Sequence, residues 1–127
     1  MNKIVTYNQA IALKSLGFDV PCAAWYNYKA ELRDHIVETT SSNTGSFTKM
    51  PDCADAPDLY DAAAWLRRNG WHVQPMLNGV RSMYFVRVYE LIGNGDVIEG
   101  ERQFDEYDDA VSHGIDLAIK RLNHGKL

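Results

Sequence analysis

Two cysteines, four histidines and a set of closely spaced carboxylates are the side chains of this 127-residue chain with the chemistry to react or to hold a metal. Cys22 or Cys53 beside a histidine would make a thiol nucleophile, because an imidazole can draw off the thiol proton. Against this stands the absence of any Cys-x-x-Cys pair. His35, His72, His113 and His124 show no ligand spacing, so a metal would need contacts that only folding supplies. Glu99 and Glu101, two apart, would share one face of a strand and could share a proton or a cation. Gly93-Asn94-Gly95 precedes no helix and is therefore a turn, not a phosphate loop. No catalytic set, metal set or cofactor fingerprint stands out, and none is expected.

Aromatic and basic residues offer a second kind of chemistry. Trp25, Tyr28, Trp65 and Trp71 are of the types that anchor protein interfaces, although the same side chains also build cores. Trp65 lies off the centre of its helix's apolar stripe, so it either protrudes or packs under the N-terminal segment. Arg67, Arg68, Arg81 and Arg87 form a basic patch only if folding gathers them, with scattered surface arginines the plainer expectation.

These residues must be carried by a core, and the composition provides for one. Hydrophobic residues are 46% and charged residues 24% of the chain, the balance of a globular domain. The net charge of −4 opposes sequence-independent binding to nucleic acid, which is driven by phosphate neutralisation. No apolar run resembles a signal peptide or reaches the roughly 18 residues of a membrane span. With only two cysteines, a cytoplasmic protein is the expectation.

Residues 1–127 read as a single domain, with 39–57 a long irregular loop rich in Ser, Thr, Asn, Asp and Pro. Thr6 and Gln9 form a capping box for a helix over 7–16. Gly17 stops it, and Phe18 is placed to fold back on the last turn. Extended chain is expected at 24–30, while 31–38 fits helix and strand spacing equally. Asp58 caps a helix running to Asn69, with Leu59, Ala62, Ala63 and Leu66 on one face and Gly70 as its stop. A strand opens at Trp71 and is interrupted by Pro75. Asn78-Gly79 and Asn94-Gly95 predict two tight turns, with a long strand over 83–92 between them and a third strand at 96–103. Asp105 then caps a last helix whose buried stripe is Tyr107, Val111, Ile115, Ala118 and Leu122.

The order over 58–123 is helix-strand-strand-strand-helix. It predicts an α+β fold, a two-layer sandwich of antiparallel meander and flanking helices with an N-terminal helical extension. Double-stranded-RNA-binding domains share that order, but their second helix opens with a basic cluster. Here Asp105, Glu106, Asp108 and Asp109 stand in that place.

Four stretches carry a family resemblance: residues 9–19 (QAIALKSLGFD) followed by 21–26 (PCAAWY), residues 56–67 (APDLYDAAAWLR) and residues 104–110 (FDEYDDA). In this order they resemble an uncharacterised family of small proteins from phages and prophage-like elements of gut Bacteroidetes. Ala62 to Ala64 departs from the bulkier aromatic helix of that family, and residues 27–55 match nothing in it. The resemblance implies an accessory role in a phage or mobile element and brings no functional residues with it. The apolar residues on both faces of the strand at 83–92, the surplus of aromatic residues and the lack of a motif-strength catalytic set make the expectation a non-enzymatic protein that acts by binding a protein partner or a second copy of itself. A nucleic-acid-binding module and a small enzyme with a site built from tertiary contacts are the alternatives.

Overall fold

The computed structural model of the protein describes residues 3–34 and 50–124. Its elements are α1 (Tyr7–Ser15), β1 (Ala24–Tyr26), β2 (Leu32–Asp34), β3 (Ala54–Asp55), α2 (Leu59–Arg68), β4 (Trp71–Asn78), β5 (Met83–Glu90), β6 (Val97–Glu99) and α3 (Tyr107–His124). The fold is α+β, with an N-terminal helix and two antiparallel sheets. Two compact units divide the chain, residues 1–58 and 59–127.

In the first unit α1 begins and ends as its sequence dictates. Gln9 N–H donates to Thr6 Oγ1 at 3.1 Å and Thr6 N–H donates to Gln9 Oε1 at 2.9 Å, which satisfies two amides that the helix leaves bare. At the other end Gly17 takes φ +99°, and the amides of Gly17 and Phe18 donate to Lys14 O and Leu13 O. This double closure requires a left-handed residue and draws the next side chain inward. Phe18 and Leu13 are both buried.

The three-stranded sheet of this unit has the order β2-β1-β3. Its strands of three, three and two residues are too short for a period-two pattern to show in the sequence. Asn27 turns the chain between β1 and β2, its Oδ1 accepting from the amides of Lys29 and Glu31. Thus 24–30 is extended only as far as Tyr26. The expected irregular loop also ends early, because Cys53 to Pro57 is buried and Ala54–Asp55 pairs with β1. The apolar run Cys53-Ala54, with Ala56 behind it, gives this stretch something to bury. Residues 39–49, the larger part of that expected loop, lie outside the described residues, as do residues 35–38.

The second unit is the expected helix-strand-strand-strand-helix sandwich, with sheet order β4-β5-β6. Val73, Val86 and Val88 are buried on one face of the sheet. Over them lies α3, close enough that a Cβ on Gly114 would stand 2.6 Å from Val86 Cγ2. Its buried residues are Ala110, Val111, Gly114, Ile115, Ala118 and Ile119, while Tyr107 at its start is exposed. Packed on both β4 and α3 is α2, with Leu59, Ala62, Trp65 and Leu66 buried.

Three details of the meander differ from expectation. Pro75 does not interrupt β4, which runs through it in continuous register with β5. The bond from Leu91 N–H to Gly70 O fixes which way each residue's backbone faces. By alternation His72, Gln74 and Met76 point to β5, and Trp71, Val73, Pro75 and Leu77 point away from the sheet. Proline therefore sits where no ladder bond is lost.

Asn78-Gly79 is not a two-residue turn either. Asn78 is the last paired residue, opposite Met83, and residues 79–82 form a four-residue loop in which Asn78 Oδ1 accepts from Val80 N–H. A two-residue turn would have paired Leu77 with Val80 and left the Val88 end of β5 without a partner. The observed register pairs all eight residues of both strands.

The second turn is also wider than a tight one. Glu90 N–H donates to Asp96 O, and Glu90 Oε1 accepts from Asn94 N–H across the loop. Consequently β5 ends at Glu90, and Leu91 and Ile92 lie beyond it.

Candidate interaction surface

Among the described residues the reactive side chains are not assembled. Cys22 and Cys53 are buried in the first unit and not joined in a disulfide, Cys22 Sγ donating to Val20 O at 3.3 Å. The register of β1 with β3 places Cys53 near Asn27 and Cys22 at the other end of the pair. About five residues of extended chain, on the order of 17 Å, separate those ends. His72 Nε2 bonds Gln74 Oε1 at 2.9 Å, and the His113 ring packs 5.5 Å from that of Phe104. His35 lies outside the described residues, and His124 closes α3. Among the described residues no three His, Cys, Asp or Glu side chains form a group that could hold a metal ion. Glu99 and Glu101 do line one shallow hollow of about 310 Å³, together with Asn78, Phe85, Gly100 and Gln103. Glu99 there is engaged by Arg87, whose Nε lies 3.2 Å from its Oε1.

The four arginines are dispersed. Arg67 and Arg68 end α2, next to the start of β4, whereas Arg81 sits in the loop beyond its far end. Eight strand residues, about 25 Å, lie between them. Arg87 is mid-strand in β5, its guanidinium 5.6 Å from the Phe85 ring centroid. Its hydrogen bonds to Tyr89 and Glu99 hold its pKa above the usual arginine value.

The aromatic set divides between the units. In the first, Trp25 is half-buried on β1 and Tyr28 is 68% exposed in the turn that follows. In the second, Trp71 is half-buried at the start of β4, and Trp65 is buried, so it does not protrude.

A different cluster is exposed instead. Leu91, Ile92 and Val97 are 51%, 73% and 53% exposed, and all three lie at the β5–β6 end of the second sheet. The apolar run suggests a strand through Ile92, whereas β5 ends at Glu90, with one further backbone bond from Leu91 N–H to Gly70 O. Beside this cluster α3 and β6 flank a cleft of about 450 Å³ lined by Ile98, Leu117, Lys120 and Arg121. No family model, curated protein or solved structure matches the chain.

No described helix is long and apolar enough to cross a membrane.

Proposed function

We propose that the protein acts by binding another protein through the β5–β6 end of its second unit, as an accessory factor rather than a catalyst. One observation carries this reading: Leu91, Ile92 and Val97 each expose a large apolar side chain, within seven residues of the chain, at one end of a sheet. Single exposed apolar residues are ordinary, whereas clusters mark contact sites. The turn that holds them is shaped by glycines at φ +89° and +70° and by the Glu90–Asn94 bond, so the display is fixed by the backbone. The resemblance to proteins of phages and prophage-like elements supports an accessory role of this kind in the cytoplasm of an infected or lysogenic host.

The test is a photoreactive amino acid at position 92, introduced in cells. A discrete protein adduct is expected, and Leu91→Asp with Val97→Asp should abolish it. A chain that yields no adduct at 92 and sediments as a monomer contradicts the reading.

A further inference from the structure

The two edges of the second sheet are unlike. On β4 the outward-facing positions are Trp71, Val73, Pro75 and Leu77. Pro75 has no N–H to offer, and its carbonyl accepts from Gln74 Nε2 at 3.3 Å. The middle of that edge is therefore closed to a further strand.

The β6 edge has no such closure. Gly100 N–H donates to Val86 O and Glu90 N–H to Asp96 O, so Asp96, Ile98 and Gly100 turn their backbone toward β5. Val97 and Glu99 alternate with them and direct both N–H and C=O outward. No backbone group among the described residues bonds to that side.

The outer edge of β6 borders the cleft against α3. On the helix-facing side His113 approaches Gly100, and one turn on Leu117 lines the cleft with Ile98. Lys120 and Arg121, both exposed, follow at the next turn. Neither has an ion-pair partner among the described residues. The cleft thus has an apolar floor and two cations on its rim.

Resting on the protein-binding reading above, we infer that the partner contributes an extended peptide segment that adds to β6 as a further strand and seats alternate side chains in the β6–α3 cleft. Apolar side chains of that segment meet Ile98 and Leu117, and at least one carboxylate meets Lys120 and Arg121. The backbone of Val97 and Glu99 supplies the pairing, and the cleft supplies the selectivity, as in strand-addition recognition generally. An acidic, apolar strand fits. A basic one is repelled by the two exposed cations, neither of which is engaged in an ion pair among the described residues.

The experiment selects a displayed library of random ten-residue peptides on the full chain. Enrichment of sequences in which acidic and apolar residues recur at period two is expected. Lys120→Glu with Arg121→Glu should weaken those peptides roughly tenfold, the size of two rim ion pairs. Both substitutions are on exposed positions, and a circular dichroism melt confirms that the variant folds. Selection on this variant should turn the preference to lysine-containing strands. No enrichment, peptides with helical spacing, or binding indifferent to the charge reversal would each overturn strand addition. Self-association of the chain through β6 would overturn it too. Adduct formation at position 92 reports on the broader protein-binding reading independently, so the two can fail separately.

Discussion

Gly114 of α3 lies over Val86 of β5 so closely that a Cβ at position 114 would stand 2.6 Å from Val86 Cγ2, with Val73 Cγ1 also in its way. Both valines are buried and held by a paired strand, so neither can yield cheaply. Glycine inside a helix costs about 1 kcal/mol relative to alanine, a cost accepted here for the close approach. Gly114→Ala should therefore destabilise the chain by about 1–3 kcal/mol in urea unfolding, the overpacking term exceeding the gain in helix propensity. A neutral or stabilising effect would show that α3 stands farther from the sheet.

The start of α1 rests on two reciprocal bonds between Thr6 and Gln9. Thr6→Ala removes the acceptor for Gln9 N–H and should cost about 1 kcal/mol, read as a shift in unfolding midpoint without change in slope. Thr6→Ser, which keeps the oxygen, should restore most of the loss.

Tyr26 donates its hydroxyl to Val5 O at 2.7 Å, and burial raises its pKa above the ordinary 10.0. Its ring meets that of Tyr7 edge-on at 5.6 Å, and the Tyr7 pKa is also raised, by burial first and then by Asp52 and Cys53. Because the folded state favours the neutral phenol, the contribution to stability is complete below the unfolded value. It is lost as pH climbs from there through the folded value. Stability should thus be insensitive to these groups at neutral pH and fall in the alkaline range. Tyr26→Phe should lower stability by about 1 kcal/mol at pH 7 and flatten part of the alkaline fall. An unaltered alkaline limb in the variant would contradict this assignment.

Pro75 protects β4 by position: it removes one outward N–H and leaves the ladder to β5 intact. Pro75→Val restores that donor with a residue suited to a strand. Sedimentation should then show more concentration-dependent association than in the parent chain, since an exposed edge invites pairing. Equal sedimentation of the two chains would mean that the edge is closed by something other than proline.

The sequence discloses elements where local chemistry is strong and misreads them where pairing decides. Thr6, Gln9 and Gly17 specify both ends of α1, and the stripe Val111, Ile115 and Ala118 specifies the buried face of α3. These are interactions within a few residues. Register is different. Asn78-Gly79 resembles a tight turn, but the stability of eight paired residues outweighs the preference of two. Of the first sheet only β1 is legible, within the extended chain expected at 24–30; β2 and β3 are too short to show a period, and β3 lies in a stretch whose composition suggests loop. The exposed cluster and the cleft were the least legible. Leu91 and Ile92 read as strand, and Ile98 meets Leu117, Lys120 and Arg121 only through the packing of α3. Trp65, of a type that suits an interface anchor, is buried in the second unit, where only tertiary contacts could place it.

Amide hydrogen exchange at β6 is the most direct test of the proposed strand addition. In the free chain the Ile98 amide should exchange slowly and those of Val97 and Glu99 fast, because the first faces β5 and the others face outward. With a selected acidic, apolar peptide bound, the Val97 and Glu99 amides should become protected while the β4 edge is unchanged. Protection appearing at Val73 or Leu77, or no new protection at Val97 and Glu99 despite saturating peptide, would contradict strand addition at β6.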